Sequence, residues 1–147
     1  MGCDIHFHIE VKVGGKWEHY AAPSVERWYK FFGLLAGVRD KEVASVSVPK
    51  GFPKDASIVT KICYEDEKLD AHTVSWLDHN EIMKVEDALD EWRADADNTD
   101  FAAYDLEWGI LHTYLVGNSF TAHWRYDDDR YLPEGIDDVR WVFWFDN

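Results

Sequence analysis

Positive charge is scarce in this 147-residue chain: 15 lysines and arginines stand against 29 aspartates and glutamates, a formal net charge of −14. Such a chain repels duplex DNA and anionic membranes at long range. Cysteine is scarcer still. Cys3 and Cys63 are two in number, with no CxxC, which excludes the disulfide scaffold of a small secreted domain. No apolar run approaches the ~18 residues of a membrane span. The start lacks the basic segment and apolar run of a signal peptide. Gly2-Cys3 invites a lipidation reading, but the myristoylation pattern has Ser or Thr where His6 stands. A soluble cytoplasmic protein, off duplex DNA and off the membrane, is the expectation.

Catalytic signatures are missing as well. The chain has no GxSxG elbow, no P-loop, no glycine-rich dinucleotide turn and no HExxH. It lacks the paired His-x-Ser/Thr motifs of one phosphodiesterase type. There is no internal repeat, linker or low-complexity tract, so residues 1–147 read as a single domain, a length that suits one core.

Apolar residues are plentiful at 46%, enough for a folded chain. Aromatics reach 16%, with eight Trp, seven Tyr and eight Phe. That many rings serve either an aromatic-heavy core or a ring-lined pocket.

Residues 4–13, DIHFHIEVKV, alternate strictly. Ile5, Phe7, Ile9, Val11 and Val13 form one face; Asp4, His6, His8, Glu10 and Lys12 form the other. Period two predicts a strand with one buried face. Gly14-Gly15 signals a tight turn into a second strand, KWEHY. Ser24 is positioned to cap a helix whose stripe is Val25, Trp28, Phe32 and Leu35, ending at Gly37. Residues 38–54 read as irregular. Asp55 is the expected cap of a further element burying Ile58, Val59 and Ile62. Asp78 and Glu81 have capping-box spacing before the stripe Ile82, Val85, Leu89 and Trp92. Another helix is expected from Asn98 or Thr99, with Phe101, Tyr104, Trp108, Leu111 and Leu115 inward and Gly109 inside it. The run VRWVFWF reads as a buried strand, too apolar for an exposed edge. Pairing it with the first strand brings the chain ends together. The fold class is α+β: a small, largely antiparallel sheet, made of an N-terminal hairpin and the C-terminal strand, with helices packed on one face.

Alternation puts Asp4, His6 and His8 on one strand face, same-side neighbours ~7 Å apart. Two imidazoles at that spacing can converge on a divalent metal such as zinc, with Asp4 as a third ligand or an orienting group. Asp146 follows the last strand and would lie beside Asp4. His72 reads as a loop residue before a capped helix, where functional groups often sit. The catalytic candidates are therefore Asp4, His6 and His72, and the candidate metal ligands are these with His8 and Asp146. The competing reading is a solvent-facing strand surface. His112 reads as half-buried, and His19, His79 and His123 as isolated surface residues. Cys3 shares parity with Ile5 and is expected to face the core.

Four blocks, MGCDIHFHIE, FFGLLAGVRD, AHTVSWL and VRWVFWFDN, run in this order along nearly the whole chain. In this they resemble the small phage and prophage proteins that begin MGCDIH and end FWFDN. The matching blocks cover Cys3, Asp4, His6, His72, Ser75, Trp76, Arg140, Asp146 and Asn147, with His8 a weaker match; residues from about Asp95 to Tyr131 have no counterpart. The resemblance implies a phage origin and an accessory role and carries no established reaction. By analogy, accessory phage proteins of this size often counter host defence.

Three functions follow. The first is a binder that sequesters a small nucleotide or nucleotide-derived signal, with Asp4, His6, His8, His72, Trp76, Arg39 and Arg140 as candidate contacts and Trp17 and Trp28 as further stacking surfaces. Net charge opposes this unless a basic pocket exists. The second is a metal-dependent, phosphodiesterase-like hydrolase of such a molecule. The third is an acidic protein inhibitor of a host defence factor. A homo-oligomer is compatible with each.

Overall fold

The computed structural model describes residues 2–94 and 135–147, except the side chain of Arg93. The helix expected from residue 98, with Gly109, His112 and His123, lies outside the described residues. The elements are β1 (Asp4–Val13), β2 (Lys16–Ala21), α1 (Tyr29–Ala36), α2 (Ile58–Glu67), β3 (Ala71–Leu77), α3 (His79–Ala94) and β4 (Asp138–Asp146). The four strands form one antiparallel sheet in the order β2-β1-β4-β3. The class is α+β, with the N-terminal hairpin and the C-terminal strand as expected.

Gly14 and Gly15 both have positive φ, +59° and +79°. A two-residue turn of that hand matches the twist of the hairpin strands, and glycine adopts it without a Cβ clash. β4 pairs β1 along nine residues, from Asp4 opposite Asp146 to Lys12 opposite Asp138. β3 covers the other edge of β4. The most apolar strand is thereby flanked on both sides, which removes its unpaired edge.

The main core lies on one sheet face. Ile5, Phe7, Ile9 and Val11 of β1 meet Val139, Trp141, Phe143 and Phe145 of β4, under Phe31, Phe32 and Leu35 of α1 and Ile82, Val85 and Leu89 of α3. Cys3 is fully buried in the same cluster, and that burial raises its thiol. The box before α3 closes reciprocally: Glu81 N–H donates to Asp78 Oδ1 and Asp78 N–H to Glu81 Oε1, each at 2.9 Å. Gly37, at φ +70°, ends α1 by donating its N–H to the Gly33 carbonyl at 2.8 Å.

The opposite face is not a wet strand surface. α2 and the segment 50–57 lie across it. Ser57 N–H donates to Glu10 Oε2, Trp144 Nε1 donates to Glu67 Oε2, and Tyr64 packs edge-on against Trp144. His8 is 6% exposed and Glu10 fully buried beneath this cover.

Four local expectations are corrected. α1 begins at Tyr29 and not after Ser24, because the preceding residues are committed to tertiary contacts: Arg27 pairs with Asp4, and Trp28 is buried. Ser57, not Asp55, caps α2. Ile58, Val59 and Ile62 point to solvent at 74, 45 and 63% exposure. The surface that α2 covers is polar, so it turns Thr60, Tyr64 and Glu67 inward instead. His72 lies in strand β3 and not in a loop, since AHTVSWL supplies the partner that β4 needs.

Candidate functional site

The sequence-predicted residues separate towards the two ends of β4. Arg140 and Asp146 are six residues apart on that strand, roughly 20 Å, and both share the α2-covered face with His6, His8 and Glu10.

At the Asp146 end, His6 Nε2 lies 2.5 Å from Asp146 Oδ2 and His6 Nδ1 lies 3.1 Å from Glu67 Oε2. The imidazole ties α2 to the end of β4, stacked on Trp144 at a centroid distance of 5.9 Å. Asp4 turns aside to Arg27, whose Nε donates at 2.7 Å; that hydrogen bond lowers the Asp4 carboxyl. His8 does not reach His6. Its Nδ1 is 3.0 Å from His19 Nε2, so one ring donates and the other accepts. Burial, with a lesser push from His19, brings His8 down to about 4, and burial lowers His19 as well. His19 is therefore half-buried and partnered, not an isolated surface residue. His79 is also half-buried.

His72 is on the other face. A register shift between His72 and Ser75, with Thr73 at φ +53°, brings the His72 ring alongside Phe145. A β-branched residue with φ in the left-handed region is strained. His72 Nε2 contacts Asn147 Oδ1 at 3.3 Å, and Arg39 Nη2 donates to the same oxygen at 3.4 Å. The terminal Asp146-Asn147 pair thus splits: Asp146 serves His6 on one face, and Asn147 serves His72 and Arg39 on the other. Asp4, His6, His8 and His72 do not converge. Among the described residues, no group of three His, Cys, Asp or Glu side chains is placed to hold a metal ion.

At the Arg140 end there is an open cleft of about 520 Å³. Trp17 from β2 and Trp76 from β3 line it, with Lys12, Lys50, Lys54 and Arg140 as cations and Asp55, Asp78 and Asp138 as carboxylates. Local structure explains the convergence. Trp17 pairs with Lys12, Glu10 with Arg140, and Trp76 with Val142, so strand register delivers these side chains to one face. Segment 50–57 supplies the remaining wall. It is pinned by Lys50 N–H donating to Ser75 Oγ at 2.9 Å, by Gly51 N–H donating to the Val74 carbonyl, and by Phe52 stacked on Tyr64 at 4.3 Å.

Arg140 is the centre of this end, 3% exposed. Its Nε donates to Glu10 Oε1 at 2.8 Å, and Nη2 sits 2.7 Å from the same oxygen. Its Nη1 donates to Asp55 Oδ1 at 2.8 Å. The guanidinium lies 4.0 Å from the Trp17 ring centroid and 6.0 Å from that of Trp76. Lys50 Nζ lies 3.9 Å from the Trp76 centroid and pairs with Glu81. Lys12 and Lys54 make no ion pair among the described residues. The lining concentrates four cations among three carboxylates; Arg140 and Lys50 are matched by Glu10 and Glu81, which leaves Lys12 and Lys54 as the cations available to an entering anion.

Of the candidate contacts, Trp76 and Arg140 line this cleft together, joined by Trp17. Trp28 is a core residue at 1% exposure. Glu10, Lys12, Lys50, Lys54 and Asp55 were not singled out. Glu10 and Lys12 had a readable signal, through strand alternation and pairing; Lys50, Lys54 and Asp55 depend on where segment 50–57 docks. No family model, curated protein or solved structure matches the chain. No helix among the described residues is long and apolar enough to cross a membrane.

Proposed function

We propose that the protein binds a small nucleotide-like anion in the Trp17–Trp76–Arg140 cleft. One observation carries this reading: two indoles from opposite sheet edges and four cations share one cleft in a chain of strongly negative net charge. Indole surfaces suit a planar base, lysine and arginine suit phosphate, and the volume falls in the ordinary small-ligand range of ~300–1,000 Å³. The resemblance to phage proteins supplies the setting, sequestration of a nucleotide-derived defence signal. The geometry favours binding over metal-assisted hydrolysis, because Asp4, His6, His8 and His72 each turn to a different partner and do not converge on one point. His6 has both ring nitrogens committed to carboxylates, which suits a structural tie better than a general base.

The test is calorimetric titration of the purified protein with nucleoside mono- and diphosphates and cyclic dinucleotides. At least one should bind with Kd below about 1 mM. The double variant Lys12→Ala/Lys54→Ala should weaken that binding by about tenfold while its stability falls by no more than about 1 kcal/mol. Neither lysine makes an ion pair among the described residues, and Lys12 adds only a contact with the Trp17 ring at 5.7 Å. Absence of binding across the panel, or an unaltered affinity in the double variant, defeats the reading.

A further inference from the structure

Asp55 holds an unusual place in this cleft. Its side chain is 68% exposed, yet its carboxylate accepts from Arg140 Nη1, a guanidinium that is itself nearly buried. The Arg140 hydrogen bond, with a smaller contribution from the Trp17 side chain, lowers the Asp55 carboxyl. A guanidinium that lies over the Trp17 ring and aims Nη1 at a solvent-facing carboxylate forms an anion-binding arrangement. Glu10 contacts the Nε and Nη2 side of Arg140 from within the protein, whereas Asp55 takes Nη1 from the solvent side. Glu10 is therefore a permanent partner and Asp55 an exchangeable one. Asp55 is also dispensable for α2, which is capped by Ser57.

We infer that Asp55 is an internal stand-in for the ligand's anionic group: it occupies the Arg140 anion subsite in the free protein, and an entering phosphate displaces it. This rests on the proposed function and adds a specific element to it. Arg140 is a buried cation, and a buried cation is costly without a counter-charge. Asp55 shares that role with Glu10 while the cleft is empty of ligand and gives way when a stronger anion arrives. A phosphate oxygen replaces the carboxylate oxygen at Nη1, Lys12 and Lys54 meet the added charge, and the released Asp55 is hydrated. Exchange at a solvent-facing carboxylate costs less than breaking the Glu10 pair, because the released charge returns to water.

Removing any acid from the cleft strengthens anion binding by general electrostatics, so the test needs a matched control. Asp138 lines the same cleft, but its Oδ1 accepts from Val139 N–H and it makes no contact with Arg140 among the described interactions. Titrations of inorganic pyrophosphate and of ADP are compared for wild type, Asp55→Asn, Asp138→Asn and the second latch variant Asp55→Ser, with a thermal melt of each. Displacement requires Asp55→Asn and Asp55→Ser to tighten both probes at least fivefold more than Asp138→Asn does. Equal tightening in the Asp55 and Asp138 variants means a charge effect alone and overturns the inference while leaving the binding site intact. Weaker binding in both Asp55 variants, with unchanged melts, also overturns it, since Asp55 would then be holding Arg140 in place. If neither probe binds wild type or any variant, the anion subsite itself is refuted and the inference fails with it.

Discussion

At the scale of single residues, Glu10 and Arg140 show how a pair can be decisive for the fold and also define a site. Both are buried, at 0 and 3% exposure, and Glu10 also accepts from Ser57 N–H. Glu10→Ala leaves a buried guanidinium short of its partner and should cost about 3–5 kcal/mol in urea unfolding, whereas Asp55→Ala should cost no more than about 1 kcal/mol. The Glu10 contact was legible in principle. Once the two chain ends pair with Asp4 beside Asp146, counting inward along antiparallel strands sets Glu10 opposite Arg140. The fate of His6 was less legible, since Glu67 reaches it from α2, an element whose orientation the sequence misstates. His8 yields a pH prediction. Its folded value is about 4, below the ordinary 6.5 of the unfolded chain. Between these values the unfolded state binds the proton and the folded state does not, so stability is full above 6.5 and declines as pH falls to 4. The slope from one such group is at most about 1.4 kcal/mol per pH unit. His19 acts in the same direction, while the lowered Asp4 and Asp55 carboxyls lose their contribution only below the ordinary carboxyl range. His8→Gln should therefore flatten, but not abolish, the decline in melting temperature across pH 6.5 to 4.

At the scale of elements, periodicity is informative where an element meets an apolar surface and misleading where it meets a polar one. α3 buries the expected Ile82, Val85 and Leu89 because the sheet face below it is apolar. α2 carries Ile58, Val59 and Ile62, and the pattern predicts them inside. The face it covers holds His6, His8, Glu10 and the Trp144 indole N–H, so hydrogen bonding sets its rotation. Ile62→Lys should accordingly leave stability within about 0.5 kcal/mol of wild type; a loss of several kcal/mol on chemical denaturation would show that its side chain is packed. α1 gives the contrary case. Gly33 sits mid-helix, where alanine is ordinarily better by about 1 kcal/mol. A Cβ there would stand 2.6 Å from the Asp40 carbonyl oxygen and 2.9 Å from Asp40 Cβ. That turn is held by the Asp40 carboxylate, which accepts from Glu42 and Val43 N–H, so it does not yield freely. Gly33→Ala should destabilise, with overpacking of about 1–3 kcal/mol exceeding the propensity gain. β3 was missed for a related reason: His72 and the capping box after it read as a loop approach to α3, while the need for a strand beside β4 is visible only at the level of the sheet.

At the scale of the whole molecule, the chain closes on itself through its last strand. β4 is internal in the order β2-β1-β4-β3, and its partner β1 is the first element. Every β1–β4 contact therefore spans well over a hundred residues of sequence, and the sheet cannot assemble from local pieces. The same strand supplies both faces: Val139, Trp141, Phe143 and Phe145 to the core, Arg140 to the cleft, Trp144 and Asp146 to the His6 tie. Pairings so distant in sequence carry a large loop-closure cost before they gain stability, which predicts slow folding for a domain of this size. Removing residues 138–147 should therefore do more than shorten a strand. The β1–β2 hairpin would lose its main partner, β3 would have no neighbour, and the apolar faces of α1 and α3 would be uncovered. A two-stranded hairpin is marginal in water by itself. The truncated chain should show no cooperative thermal transition and should lose the near-ultraviolet circular dichroism of its packed tryptophans. Phe143→Ala, which leaves the strand in place but removes a fully buried ring, should by contrast keep a cooperative transition weakened by about 3–5 kcal/mol. A cooperative melt retained by the truncated chain would mean that the hairpin, α1 and α3 hold together without β4, and the central role assigned to that strand would be lost.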